Sequence, residues 1–240
     1  MALADRIESE INSFIVSTWE VRQSEKIPDT SALGLMTTTG IQIPATFLYS
    51  DLAESSSLGQ NLTTVDAAKI IKSFLYACSS LIKAHGGEIK SFDGDRVMGI
   101  FVGHQKEMRA VRAAFDINWV VQEVISDKAS RWIAWSGGPR QVKHATGIAS
   151  GEALLIRGGV RNDNDIASIG SAPNLAAKLS EIRGRPERTF ADSDTWMLAY
   201  GDTWKDALGN SLWEEPSYVE VGGKYFAYYG SAHKRKPTGA

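Results

Sequence analysis

Apolar residues recur at spacings of three and four near the start of the chain, at Ile7, Ile11, Phe14, Ile15 and Trp19, and predict an amphipathic helix over residues 3–24. Such a stripe packs either on the rest of the chain or on a second copy. From Gln23 to Gln42 the pattern breaks around Pro28, Gly34 and Gly40, so an irregular connector is expected, with the compact part beginning near Ile43.

Beyond it the period changes from element to element. The run PATFLYSDL is β-branched and aromatic and predicts a strand. Between Val65 and His85, Ile70, Ile71, Phe74, Leu75, Cys78, Leu81 and Ile82 restore helical spacing, which Gly86-Gly87 ends. EIKSF and RVMGIFV then flank Asp93-Gly94-Asp95, a strong hairpin signal because tight two-residue turns need positive φ, and Asp95 is displayed just beyond that turn. A helix over roughly 105–127, strands in KHATGIAS and EALLIRGGV, a turn rich in Asn and Asp, and a helix from Ala172 to Ile182 complete a βαββαβ order with additions. That order predicts an α+β fold of ferredoxin-like type, an antiparallel sheet with helices gathered on one face, preceded by an extra N-terminal helix.

With 240 residues, 43% hydrophobic and 22% charged, the chain has ordinary globular composition and one main domain is expected. The expected division is 1–42 for the helix and connector, 43–230 for the main domain and 231–240 for a flexible basic tail around His233-Lys234-Arg235-Lys236. A net charge of −2 argues against a nucleic-acid surface, which depends on clustered Lys and Arg. No run approaches the roughly 18–20 apolar residues that cross a bilayer, and MALADRIESE does not read as a signal peptide, so a cytoplasmic protein away from membranes is expected. The single cysteine, Cys78, excludes an internal disulfide and reads as buried and inert.

Two aspartates stand out: Asp51 at the end of the first strand of the main domain and Asp95 at the hairpin on what should be the adjacent strand. Neighbouring strands lie about 4.8 Å apart, so the carboxylates can converge. Hard divalent cations take oxygen ligands, and two such ions about 3.5–4 Å apart suit phosphoryl transfer. Aspartate at turns and strand ends also has purely structural uses, so the pair alone leaves both readings open.

Further along the chain come Gly147-Ile148-Ala149-Ser150-Gly151-Glu152 and Ile169-Gly170-Ser171-Ala172-Pro173-Asn174-Leu175-Ala176-Ala177-Lys178-Leu179. Together with Asp51-Leu52, Gly86-Gly87 and Gly94-Asp95, in this order, they resemble the catalytic domain of class III adenylate and guanylate cyclases across Pro44 to Phe226. The resemblance implies that Asp51 and Asp95, with the backbone carbonyl of Leu52, hold two divalent ions, Mn²⁺ or Mg²⁺. It implies that Asn174 orients the ribose and that Lys178, where the family usually has arginine, meets charge on the α-phosphate, both from a second protomer. A homodimer with active sites at the subunit interface, and an inactive monomer, follow from it. It also implies phosphate contacts from the segment Ala53-Glu54-Ser55-Ser56-Ser57 and from Lys224 after Val221-Gly222-Gly223. Where the family often has Gly-Phe-Thr this chain has Glu54-Ser55-Ser56, which sets a carboxylate near the triphosphate unless it is turned away or paired.

By the same resemblance the base is read at Ser91 and Ala167, and neither matches the residues usual in adenylate or guanylate cyclases. Tyr49 stands where phenylalanine is common and adds a hydroxyl able to bond a smaller ring, or serves as a core tyrosine. Arg96 faces base or phosphate, or is simply exposed beside a turn. Tyr49-Ser50-Asp51, Ser91 to Arg96 and Lys178 together resemble the pyrimidine cyclases of bacterial Pycsar anti-phage systems, whose product, cUMP or cCMP, activates an effector protein. UTP is the favoured substrate. The alternatives are a cytidylate cyclase making cCMP, an adenylate or guanylate cyclase, and a catalytically inactive cyclase-homology dimerisation module, against which the presence of both aspartates counts. There is no P-loop signature.

Overall fold

The computed structural model describes residues 2–137 and 140–238, with 56 and 57 described for their backbone only. It divides into two compact units, Met1–Pro44 with Gly151–Ser171, and Ala45–Ser150 with Ala172–Ala240. The first unit thus takes in Gly151–Ser171, a stretch that the sequence pattern alone assigns to the main block.

In the first unit, helix α1 (Leu3–Val16) opens with the Ala2 backbone N–H donating to Asp5 Oδ2 at 3.0 Å. It stops at Val16, short of the expected residue 24, because Ser17 is extended and the chain enters strand β1 (Glu20–Gln23). Trp19, which continues the helical spacing in the sequence, instead donates from Nε1 to the Phe14 carbonyl at 2.9 Å, closing the helix end. β1 runs parallel to the start of β2 (Thr39–Ala53), from Glu20↔Thr39 to Gln23↔Gln42, so part of the expected connector is sheet. The second half of β5 (Lys143–Val160) pairs antiparallel with β6 (Asp163–Ile169) around a turn with Asn162 at φ +74°.

In the second unit, α2 (Ser55–Asn61) and α3 (Thr64–Ala84) follow β2. Thr63 caps α3 by accepting from Asp66 N at 3.1 Å, and Ala67, Ile70, Phe74, Ala77, Cys78 and Ile82 form its buried face. The hairpin of β3 (Glu88–Asp93) and β4 (Arg96–Phe101) leads to α4 (Lys106–Trp119), a π-helical stretch at Val120–Ile125 and α5 (Ser126–Trp132), one continuous helical run where a single helix is expected. After β5 come α6 (Ser171–Leu179), β7 (Thr189–Asp192), α7 (Ser193–Leu198), β8 (Ser217–Val221) and β9 (Lys224–Ser231). The strand order is β3-β4-β2-β5-β7-β9-β8. Its first four strands with α3 and α4 make the βαββαβ core, and the parallel pairing of β5 with β7 makes the sheet mixed. Phe47, Leu48, Phe74, Phe101, Phe115 and Ile117 are fully buried there. Burial pushes the Cys78 thiol up to about 12, which leaves it inert.

The basic segment after β9 is not the flexible tail that its composition suggests. Asn118 Nδ2 donates to the carbonyls of Ala232 and His233 at 3.2 and 2.9 Å, Lys234 pairs with Glu123, and Arg235 Nε donates to Asp116 Oδ1 at 2.6 Å. Burial works against charge on Asp116, but hydrogen bonds from His85 and Arg235 outweigh it and hold the carboxyl below its ordinary value. Among the described residues, no helix is long and apolar enough to cross a membrane.

Candidate active site

Strand register builds the site. Asp51, near the end of β2, pairs with Arg96, the first residue of β4, and Arg96 pairs in turn with Asp93, the last of β3. Two residues along the same strands, Tyr49 pairs with Met98 and Met98 with Ser91. Side chains alternate along a strand and match across it, so Tyr49, Asp51, Arg96, Met98 and Ser91 share one face. Tyr49 Oη donates to Met98 Sδ at 3.0 Å, and Ser91 Oγ lies 3.6 Å from the same sulfur. Burial, with the Asp93 charge adding to it against Arg96, raises the Tyr49 pKa, so the phenol keeps its proton at neutral pH.

The turn between β3 and β4 consists of Gly94 and Asp95, one residue later than Asp93-Gly94 as read from the sequence. Gly94 takes φ +60°, the glycine requirement of the first position in a type II′ turn. Asp95 therefore sits inside the turn, with Oδ2 buried and without a hydrogen-bond partner among the described residues. Asp51 is 8% exposed. Burial, reinforced by the charge of Asp95, holds its carboxyl above the ordinary value against the pull of Arg96 and Arg183. The charge of Asp95 thus acts on Asp51, and Asp95 keeps a buried oxygen unpaired among the described residues.

The segment after α6 closes on this pair. Arg183 Nη2 donates to Asp51 Oδ2 at 2.6 Å, while its Nη1 donates to the carbonyls of Ser180 and Ile182 at 2.6 and 3.1 Å. Arg96 Nη2 lies between Asp51 Oδ2 (3.5 Å) and Glu181 Oε1 (3.4 Å), and Lys178 Nζ meets Glu181 Oε2 at 3.2 Å. Lys178 and Asn174 occupy the exposed side of α6, whose other side buries Ala172, Leu175, Ala176 and Leu179. A charged chain therefore runs Lys178–Glu181–Arg96–Asp51–Arg183.

The structure brings Tyr49, Asp51, Ser91, Asp95 and Arg96 together on β2, β3 and β4, with Lys178 joined through Glu181. The side chain of Leu52 is buried, 2% exposed, which anchors the backbone beside Asp51. Lys224 begins β9 next to the Gly222-Gly223 turn, exposed and three strands from β2 in the sheet order. Ala167 lies on β6, opposite Ile156, in the other unit. Glu54, at φ +59° ahead of α2, takes Lys143 Nζ at 3.2 and 3.4 Å, so the carboxylate that replaces the family's glycine is paired. The side chains of Ser56 and Ser57 lie outside the described residues. Sequence reasoning missed Glu181, Arg183, Arg185 and Arg188; the signal was the arginine-rich run IRGRPER directly after the Asn174–Lys178 helix.

The residues fit a hard divalent cation. Asp95 Oδ2 is a buried anionic oxygen with no partner among the described residues, and the second carboxylate, Asp51, meets the cationic side chains of Arg96 and Arg183. Among the described residues there is no cluster of three or more His, Cys, Asp or Glu that would make a complete cage. One or two carboxylates with substrate phosphates and water is the usual ligand set of Mg²⁺.

No family model matches the chain. It is 36% identical over 240 residues to a uridylate cyclase of Rhodovulum sp. (strain MB263), covering 99% of each chain. It is 32% identical to a uridylate cyclase of Xanthomonas perforans, covering 91% of this chain and 92% of that one. With a uridylate cyclase of Burkholderia cepacia the identity is 33%, over 92% of this chain and 95% of that one. Among solved structures, the guanylyl cyclase Cya2 superposes with a TM-score of 0.68 at 20% identity, over 82% of this chain and 96% of that one. The adenylyl cyclase CyaB from P. aeruginosa superposes with a TM-score of 0.67 at 20% identity, over 82% and 98%. Near-full-length similarity at this level, on a fold shared with adenylyl and guanylyl cyclases, places the chain in the uridylate cyclase family.

Proposed function

We propose that the chain converts UTP to 3′,5′-cyclic UMP and pyrophosphate as a homodimer. The observation that supports this most is the Asp51–Asp95 carboxylate pair at the β2–β4 edge, with a buried oxygen that has no partner among the described residues, beside the hydroxyls of Tyr49 and Ser91. In the reaction the ribose O3′ forms a bond to the α-phosphorus, its proton passes to water, and the bond from the α-phosphorus to the bridging oxygen breaks, its electron pair leaving with pyrophosphate. Asp51, Asp95 and the Leu52 carbonyl would hold divalent ions, Mn²⁺ or Mg²⁺, which when bound would supply acidification of the hydroxyl and neutralisation of the leaving group.

The protein's own groups do the positioning. Asn174 and Lys178 of α6 act on the site of a second copy, the amide on the ribose and the ammonium on charge growing at the α-phosphate. For that, Lys178 exchanges its exposed contact with Glu181 for the phosphate, a small loss because exposed pairs contribute little. Tyr49 and Ser91 bracket Met98 and offer hydroxyls to a pyrimidine edge. Arg96 borders the same row. Ala167 contributes no hydrogen-bonding group, and Lys224 is available to phosphate from the β8–β9 turn. The product would serve as a second messenger read by an effector in anti-phage defence, as in the Pycsar systems that the sequence resembles.

Incubating the purified chain separately with UTP, CTP, ATP and GTP, with Mn²⁺ or Mg²⁺, tests the reading by the mass of the product. Cyclic UMP is expected; a preference for another nucleotide overturns the base assignment, and no product from any of them overturns the activity. Tyr49→Phe removes one hydroxyl with little change in packing. Its kcat/KM for UTP is expected to fall about tenfold, the size of one lost hydrogen bond of about 1–1.5 kcal/mol, with weaker discrimination against CTP. Unchanged discrimination would make Tyr49 a core residue.

A further inference from the structure

Helix α1 carries an apolar stripe that is left open. Leu3, Ile7, Ile11 and Ile15 are 49–76% exposed, and no residue of α1 is buried. A contiguous apolar row in water marks a surface that meets a partner. At about 100° per residue, Glu8 and Glu10 are the charged residues nearest the stripe, one along each edge, with Arg6 beyond Glu10 and Asp5 on the far side. Two copies of α1 laid against each other would set glutamate against glutamate, and a helix with more acidic than basic residues is repelled by anionic lipid. The surface that suits it is apolar along the middle and cationic along both sides.

The second unit has such a surface. A groove of about 530 Å³ lies between α3 and the helical run Val120–Trp132, and Lys69, Tyr76, Leu81, Val124, Lys128 and Trp132 are among the residues that line it. Tyr76 and Trp132 are 75% and 81% exposed, large aromatic side chains of the kind that anchor protein contacts. Lys69 on α3 and Lys128 on α5 stand on opposite walls. Lys69 meets Asp66 at 2.7 Å in an exposed pair, which contributes little and leaves the ammonium able to serve a second carboxylate. Asp127 pairs with Arg131, not with the adjacent Lys128. Val124 belongs to the π-helical stretch, a rare geometry found mostly where a site uses it.

We propose that this groove receives α1 of a second copy of the chain, with Ile7 and Ile11 set into it and Glu8 and Glu10 against the two lysines. The dimensions agree. The α3 wall from Lys69 to Leu81 and the stripe from Leu3 to Ile15 each run about 18 Å, at about 1.5 Å per residue. An amphipathic helix laid in an apolar groove, its flanking charges met at the rim, is a recurrent mode of recognition. The contact is independent of nucleotide turnover, so cyclase activity does not bear on it.

Cross-linking between co-expressed full-length chains tests this. One chain carries Ile11→Cys, and the other, with a C-terminal tag that sets its mass, carries Ser73→Cys on the α3 wall. A bismaleimide long enough to span a helical turn joins them, while the native Cys78, buried with its thiol pushed up to about 12, does not react. A linked pair containing one chain of each kind is expected, and far less of it when Ser9→Cys, on the opposite side of α1, replaces Ile11→Cys. Lys69→Glu with Lys128→Glu in the groove chain is expected to lower the yield about tenfold, and Glu8→Lys with Glu10→Lys in the other chain to restore it. Circular dichroism checks that each variant folds. No linked pair, an equal yield from Ser9→Cys, or a yield blind to the charge reversals overturns the proposal. Linking of two Ile11→Cys chains to each other in comparable yield would make α1 its own partner, and a link formed only within one chain that carries both cysteines would give the groove to that chain's own helix; either result overturns the second copy as occupant.

Discussion

Asp95→Asn is expected to abolish cyclic nucleotide formation while raising the melting temperature of the metal-free protein, whereas Asp51→Asn abolishes it while lowering that temperature. The opposite signs follow from what each carboxylate touches. Asp95 Oδ2 is buried without a partner among the described residues and adds its charge to the field at Asp51, so neutralising it removes a repulsion and a poorly satisfied anion. Asp51 is the acceptor of Arg183 at 2.6 Å and lies 3.5 Å from Arg96, so its neutralisation weakens two contacts. Each change is worth about 1 kcal/mol, or roughly 2 °C for a chain of this length. The loss of turnover is far larger, about a thousandfold or more, because ions at such a site supply several kcal/mol of transition-state stabilisation and every 1.36 kcal/mol is tenfold. Thermal melts in EDTA and with Mn²⁺ separate the two effects. Mn²⁺ is expected to raise the melting point of the wild type and of neither variant; an Asp95→Asn protein that still gains from Mn²⁺, or still turns over, sinks the assignment of Asp95 as a ligand.

Half of that carboxylate pair is legible in the sequence because it is local: Asp93-Gly94-Asp95 between two β-type runs specifies a hairpin, while the pairing of β2 with β4 that sets Asp51 opposite Arg96 spans 45 residues. Even the error there is local, a turn centred one residue later than the Asp-Gly pair suggests. Other features depend on partners distant in sequence, and no periodicity announces those. Arg183 meets Asp51 across 132 residues, and Arg235 meets Asp116 across 119, so a charge run that reads as a solvated tail is tied down on α4. The apolar spacing overextends the first helix because Trp19 falls on it, yet serves as a side-chain cap on Phe14 from outside the helix. The short β1 is hidden for a related reason: four exposed residues have no apolar alternation to reveal them, and only the pairing with β2 makes them a strand. The grouping of Gly151–Ser171 with the N-terminal residues is equally invisible, since β5 is one uninterrupted strand in the chain and only its pairings divide it.

Gly147→Ala is expected to damage the site from behind, without touching any ligand. Gly147 lies on β5 against the last turn of α6, and a Cβ there would meet the Ala176 carbonyl oxygen at 2.2 Å and the Ser180 backbone nitrogen at 2.4 Å. Those two atoms are hydrogen-bonded to each other at 3.1 Å, so the methyl group would wedge into a helical hydrogen bond made of backbone, which has no rotamer to turn aside. Either the bond breaks or α6 moves outward. α6 carries Asn174 and Lys178, and the segment it leads into carries Glu181 and Arg183, so displacement of the helix misplaces every group that this part of the chain brings to Asp51. Overpacking of this kind against fixed backbone is worth about 3 kcal/mol, at the upper end of its usual range, or roughly 6 °C in melting temperature. Gly59→Ala supplies the contrast: it sits within α2, nothing lies within 4 Å of its added Cβ, and alanine favours a helix over glycine, so its melting point is expected to hold or rise. Differential scanning calorimetry of the two variants, with the cyclase assay beside it, checks the pair. If Gly147→Ala melts like Gly59→Ala and retains activity, β5 and α6 are not in the close contact on which the placement of Asn174 and Lys178 depends.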